Sequence, residues 1–393
     1  MIHDSRRTEN AGELALLTAK RVQRIDENSL RPKSLAGPQG GVSLAVGQPD
    51  QSMPRELSES LYEAALAGFT RYPDASGDPE LRDAIALHCS RESGAHVDAD
   101  EVLVTHGGSA GIVASILAVV NPGDTVLIPE PTYSLYQDAV LMAGGTPHFL
   151  QLERSARLPM AEIREAATEA KLLILCSPGN PTGAVITAEE YQALEDICNE
   201  SNLMLMVDEA YADLTYSSRF VPALSVKGLR DRIILIRTFS KSYRMTGMRL
   251  GWVIAPKLLI SSIRTSHKTF NGGINASVQR MGITALEHHS ELVTPLVEEY
   301  GKRRDEMARI LGTIEGLEWS QPDGAFYFLV SYPGTLSSQE MVERLAKRGV
   351  TVRSGREFGP SGEGSIRLSF AASLEDIKSG LKELKEELKS ALC

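Results

Sequence analysis

Cysteine is scarce in this chain and poorly spaced for chemistry. Four occur in 393 residues, Cys89, Cys176, Cys198 and Cys393, and their scatter excludes a disulfide framework or a cysteine zinc site. They read as reduced thiols, which fits a cytoplasmic protein. Long apolar runs are also missing. The longest, residues 111–120, is about half of what a membrane span needs. The opening residues MIHDSRRTEN are polar, and no signal-like apolar core follows them. Positive charge is in deficit: the formal net charge of -10 favours solubility and argues against non-specific nucleic-acid binding. There is no HExxH or comparable metal motif, no internal repeat and no low-complexity tract. The nearest approach to GxGxxG, at residues 359–364, lacks the preceding strand and following helix that nicotinamide binding requires.

What is present is a hydrophobic fraction of 42% over a length that calls for more than one core. Nearly continuous apolar runs at 102–105, 126–129, 147–150, 172–176, 203–207, 233–236 and 252–255 alternate with helical patterns. Such runs suit strands buried on both faces, so an α/β fold with a mostly parallel seven-stranded sheet is expected. Residues 54–67 form a helical pattern, and Asp78-Pro79 opens another. A long polar helix over 295–311 should lead into a smaller α+β domain, with strands in GAFYFLVSY, GVTVRSG and SIRLSF. The last stretch carries Leu374, Ile377, Leu381, Leu384 and Leu388 on one helical stripe. The expected division is 1–50 as an arm and part of the small domain, 51–290 as the large domain, and 291–393 as the small one. In the arm, Leu14, Leu17, Val22 and Ile25 form a short amphipathic piece.

Polar motifs fall at the ends of the expected strands, where ligands bind on such sheets. The segment RTFSKSYRMTGMRLGW sets Thr238, Ser240, Lys241 and Arg249 between two apolar strands, a set that suits an anion. In VTHGGSAGIVAS a strand end, two glycines and a helix start near Ser109 make a phosphate cup, although many glycine turns precede helices innocently. Tyr133, in PEPTYSLYQ, can stack on a flat ring; Tyr136 reads as packing. Asn180, in CSPGNPTG, can donate and accept. Asp208 ends the strand of LMLMVDEAYADL, where a buried carboxylate needs a cationic partner, unless it only caps a turn. Arg367 interrupts the apolar residues of SIRLSF, as a salt-bridged edge arginine also would.

This ordered set, from Gly47 to Arg367, resembles the class I/II aminotransferases, pyridoxal-phosphate enzymes of fold type I. The resemblance implies an enzyme that moves an amino group between an L-amino acid and a 2-oxo acid. Lys241 would form the Schiff base with pyridoxal 5'-phosphate. Gly108, Ser109, Thr238, Ser240 and Arg249 would hold the phosphate, with Ala110 close by. Tyr133 would stack on the ring, Asp208 would meet the pyridine nitrogen, and Asn180 and Tyr211 the phenolic oxygen. Lys241, Asp208 and Tyr211 would then be catalytic. The substrate carboxylate would lie against Gly47, Asn180 and Arg367. Tyr72 would reach the phosphate of a partner subunit, implying a homodimer with shared active sites.

Two departures stand out. The arm is unlike the usual pattern. Ser109 stands where some aspartate-preferring members carry lysine, so a neutral, aromatic or hydroxylated substrate side chain is expected. The side-chain pocket is expected from the arm, the Tyr72 loop and residues 267–274, with Arg71, Arg244 or Arg264 as possible partners for a second carboxylate. A carbon–sulfur lyase or an amino-acid oxidase on the same fold is the competing reading. A ligand-sensing DNA-binding regulator is a third, for which the stretch before Gly47 is too short and polar.

Overall fold

In the computed structural model, residues 18–30 and 40–391 are described; Leu14 and Leu17 of the arm lie outside them. Seven strands form the main sheet: β2 (Val102–Thr105), β3 (Thr125–Glu130), β4 (Thr146–Gln151), β5 (Ala170–Cys176), β6 (Met204–Asp208), β7 (Ile233–Thr238) and β8 (Gly251–Ile254). Their order across the sheet is β2-β8-β7-β6-β5-β3-β4, and only β8 runs against its neighbours. Each expected strand is present, with no end moved by more than two residues. The sheet is α/β and mostly parallel.

The alternation of side chains explains the two helical layers. Leu173, Leu175, Leu205, Val207 and Leu235 point into one apolar cluster, with Leu81, Ile85, Tyr191, Leu194 and Met281 from covering helices. Leu172, Ile174, Met206, Ile234 and Ile236 point into the other, against Ile112, Ile116, Val140 and Ile263. A strand with apolar residues on both parities must be covered twice. β4 departs from this rule. It sits at the edge, its residues alternate between exposed and partly buried, and only Leu150 is fully buried.

A third cluster forms around β10 (Tyr327–Ser331) and β13 (Ser365–Ser369), which pair antiparallel, with β9 (Glu318–Trp319) and β12 (Arg353–Ser354) at their flanks. Arg367 therefore lies on an inner strand, so the edge explanation fails. Ile377, Leu381, Leu384 and Leu388 of helix Leu374–Ala391 enter this cluster, whereas Leu374 is 38% exposed, one turn too early to reach it. The long helix, His289–Leu311, begins before its expected start. It places Leu292 and Val293 in the first cluster, then Leu296, Tyr300 and Met307 in the third. Pro295 stands at the changeover. β1 (Val42–Ser43) pairs in parallel with β11 (Val350–Thr351), so the start of the described chain is sewn to its last third. Helix Lys20–Asn28 contributes no fully buried residue and is tied to helix Leu135–Ala143 by polar contacts. One is Gln137 Nε2 donating to the Asn28 carbonyl at 2.8 Å.

One buried charge cluster sits near the carboxyl end of β7. Arg237, 4% exposed, donates from Nε to Glu209 Oε2 at 2.8 Å and also pairs with Glu92. Glu209 accepts from the Ala223 N–H at 2.7 Å. Arg237→Met leaves a wholly enclosed carboxylate without its cation, a change that costs about 3–5 kcal/mol. The urea midpoint should fall accordingly, while Arg55→Met, which breaks an exposed pair with Glu59, should leave it unmoved. Equal midpoints for the two variants would contradict this account.

Candidate active site

The sheet register brings the motifs together. Cys176 of β5 lies opposite Asp208 of β6, and Asp208 opposite Ile236 of β7. On the far side, Thr105 of β2 is opposite Gly251 of β8. Beyond these strand ends a cavity of about 410 Å³ opens, lined by Gly47, Gly108, Ser109, Tyr133, Asn180 and Asp208. Tyr211, Thr238, Ser240, Lys241, Arg249 and Arg367 line it as well.

Lys241 lies just past β7, in the irregular link to β8. Its Nζ donates to the Gly47 carbonyl at 2.6 Å and stands 5.9 Å from the centre of the Tyr211 ring. Burial, then the positive charges of Arg367 and Arg249, bring its pKa down to about 8, against an opposing pull from Asp208. A buried ammonium loses hydration, so the neutral amine gains. Asp208 is 4% exposed, and burial pushes its carboxyl up to about 6. Two hydrogen bonds resist that rise: Tyr136 Oη donates to Oδ2 at 2.8 Å, and the Ala210 N–H to Oδ1 at 3.0 Å. Tyr136 thus does more than pack. In sequence it had only its spacing to speak for it.

At one end the cavity suits an anion. Helix Gly107–Val119 starts two residues earlier than its sequence pattern marks, at the glycine pair. A side chain at Gly107, whose φ is +77°, would put Cβ 2.6 Å from Arg249 Nη2; one at Gly251 would put it 2.9 Å from the Gly108 nitrogen. At 251 the close approach of backbones requires glycine, and at 107 the positive φ does. The first N–H groups of any helix lack partners within it and face outward as anion donors. Beside them, Thr238 Oγ1 and Ser240 Oγ are 2.8 Å apart, and exposed Arg249 is fixed by its Nη1 donating to the Thr246 carbonyl at 2.9 Å.

At the other end Arg367 is nearly enclosed. Its guanidinium carbon is 4.1 Å from the Tyr327 ring centre and 4.9 Å from that of Phe358. Nη1 donates to Asn180 Oδ1 at 2.9 Å and Nη2 to the Ala45 carbonyl at 2.6 Å, while Nε is buried with no partner. The hydroxyls of Tyr211 and Tyr327 are 2.9 Å apart. At Gly47 a Cβ would come 2.7 Å from that Tyr327 hydroxyl.

Of the expected site residues, Tyr72, 99% exposed, lies outside this chain's cavity, and Ala110, Arg71, Arg244 and Arg264 do not line it either. Among the described residues, 267–274 and the Tyr72 loop do not line this chain's cavity, and His267 is fully buried. From residues 1–50, Ser43, Ala45 and Val46 line it, together with Arg353, Glu357 and Phe358. Arg353 and Glu357 form an ion pair there. Tyr327 and this pair went unread because their segments look like ordinary small-domain strand and turn.

Residues 39–384 match the family described as aminotransferase class I and II. The chain is 34% identical over 375 residues to a putative aminotransferase, YugH, of Bacillus subtilis, covering 93% of this chain and 97% of that one. It is 33% identical to an aspartate aminotransferase of Streptomyces avermitilis, over 89% and 90% of the two chains. Its structure superposes on the crystal structure of an aromatic aminotransferase from Pyrococcus horikoshii with a TM-score of 0.86 at 31% identity, covering 90% and 97%. Sheet order, motif order and kinship agree, and the chain belongs to the class I and II aminotransferases.

Proposed function

We propose that this aminotransferase binds pyridoxal 5'-phosphate in the cavity through Lys241, and that the cavity also receives the α-carboxylate of the amino acid or 2-oxo acid. The observation that carries this reading is the pairing of a buried amine and a buried carboxylate in one cavity with an arginine whose enclosed Nε has no partner. The residues fit the cofactor at each of its ends. The helix start with Gly108 and Ser109, the hydroxyls of Thr238 and Ser240 and the Arg249 guanidinium match the phosphate. Tyr133 offers a face to the ring, and Asp208 offers an anion to the ring nitrogen. Asn180 and Tyr211 supply donors for the phenolic oxygen. When bound, the cofactor supplies an electron sink for the bond being broken at the substrate carbon.

The chain's own groups do the rest. Arg367 holds the carboxylate through a fork of N–H donors, supported by the Asn180 amide and the backbone at Gly47. Lys241 Nζ, whose neutral form burial favours, is placed to take the proton from the substrate Cα and carry it onward. Asp208 keeps the ring-nitrogen proton in place. Tyr327 orients the Tyr211 hydroxyl.

We read residues 51–290 as the cofactor-binding domain and 291–393, with part of 1–50, as the smaller domain. The apolar clusters support that division. We assign the enzyme to the cytoplasm, supported by the free thiols of Cys89, Cys176 and Cys198. No described helix is long and apolar enough to cross a membrane. A homodimer accounts for Tyr72, fully exposed on one chain and suited to a partner's phosphate.

Borohydride should fix the cofactor to Lys241, as located by peptide mass spectrometry, and Lys241→Ala should lose turnover with its circular dichroism unchanged. Asp208→Asn removes a charge-assisted hydrogen bond worth about 1.5–3 kcal/mol, so kcat should fall by roughly one to two decades. Unchanged half-reaction rates in that variant would refute the role of Asp208.

In cofactor-free protein, acylation of Lys241 should follow a midpoint of about 8, below the ordinary lysine value of about 10.4. Since Asp208 raises the value, Asp208→Asn should move the midpoint lower. A midpoint for Lys241 in the ordinary range would contradict its burial as a charge.

Mixing Lys241→Ala chains with Tyr72→Phe chains should restore part of the activity lost in each. An active monomer in sedimentation would exclude shared sites.

A screen of the twenty amino acids as donors should favour neutral, aromatic or hydroxylated side chains, because Ser109 carries no charge. Aspartate faster than all others by more than about tenfold, or 1.4 kcal/mol, would overturn that reading.

A further inference from the structure

Outside the cavity, three titratable side chains from distant stretches meet. His88 is on helix Pro79–Ser93, Asp213 follows β6, and His289 opens helix His289–Leu311. One ligand-capable atom from each lies within 4.8 Å of the other two, and all three residues are partly buried. The His88 and His289 rings meet edge to face with centres 4.7 Å apart. His289 Nε2 is 3.9 Å from Asp213 Oδ1, too far for a hydrogen bond. Two ligands on one tetrahedral zinc, each at about 2.0–2.1 Å, stand roughly 3.4 Å apart. The gap is thus close to the span of two atoms on one ion.

We propose that His88, Asp213 and His289 bind one zinc-class divalent cation at a site separate from the aminotransferase cavity. Two imidazoles and a carboxylate are a donor set for zinc and its neighbours, and the wrong set for magnesium or calcium. A fourth position is left for water. The orientation of His289 is already fixed: its Nδ1 is 2.7 Å from the Tyr243 hydroxyl, which turns Nε2 towards Asp213. An outer partner of this kind on the second ring nitrogen is what selects the tautomer in metal-bound histidines.

Arg237, the nearby fixed cation, is already offset by Glu209 and Glu92. Sequence spacing could not reveal such a site because each ligand comes from a different element. An ion there would tie a helix of the sheet layer to the segment following Asp208 and to the first turn of the helix that runs between the cores. Its role would be to stiffen that joint.

The test uses the full chain with its cofactor, treated with chelator and titrated with Zn2+ by calorimetry. One ion per chain is expected. His88→Ala, Asp213→Asn and His289→Ala should each weaken binding by at least about tenfold. On the unaltered protein, Zn2+ should also protect His289 from diethyl pyrocarbonate, as read by peptide mass spectrometry, and Co2+ should give the intense visible bands of four-coordination. These two readings decide the matter if a variant fails to fold. Absence of saturable binding, unprotected His289, or equal affinity in folded variants would overturn the proposal.

Discussion

The partial burial of Lys241 beside the fully buried Asp208 is the constraint on which the rest of this structure depends. Each is costly to bury as an ion, and each shifts towards its neutral form: the amine down to about 8, the carboxyl up to about 6. The fold can bear that cost only where the surroundings are rigid and polar partners are already placed. The ends of β6 and β7 meet both conditions. Their strands are clad on both faces, and the chain beyond them is held by Tyr136, the Ala210 N–H and the Gly47 carbonyl.

The same economy governs the two ends of the cavity. The helix start and Arg249 are gathered where glycine is needed, by close backbone contact at 251 and by a positive φ at 107. Arg367 is flanked by two aromatic rings and tied through two nitrogens, which fixes its plane and leaves Nε free. A planar guanidinium held in this way discriminates by direction as well as by charge. Beneath the site, Arg237 spans Glu209 and Glu92. The residue following Asp208 is therefore itself anchored in a buried charge network.

Much of this was legible in sequence, and for definite reasons. Strands buried on both faces must be apolar throughout, so six of the seven were plain; β4 was found despite an exposed edge. Lys241, Asp208, Asn180 and Arg367 stood out because each breaks an apolar or tightly turned setting. What stayed hidden depends on contacts between distant segments. Tyr136 reads as a packing residue until Asp208 is placed against its hydroxyl. Tyr327 sits in a strand like any other, and the Arg353–Glu357 pair lies in a turn whose direction the sequence does not state. Tyr72 shows the reverse case: its motif is clear, but its side chain leaves the chain's own cavity altogether.

The pairing of β1 with β11 has a consequence for the order of assembly. Val42 takes its partner from Val350, and the Leu44 carbonyl accepts from the Ser369 N–H. Gly47 and Arg367, which line one end of the cavity, are joined by the same seam. The parallel sheet can form while this seam is open, since its strands all fall between β2 and β8. During synthesis β1 would wait unpaired until β11 emerged, and the Leu44 carbonyl until β13 followed, and contacts so distant in sequence close late. The site therefore exists only in the finished chain, and a truncated product would keep the sheet without the ability to act.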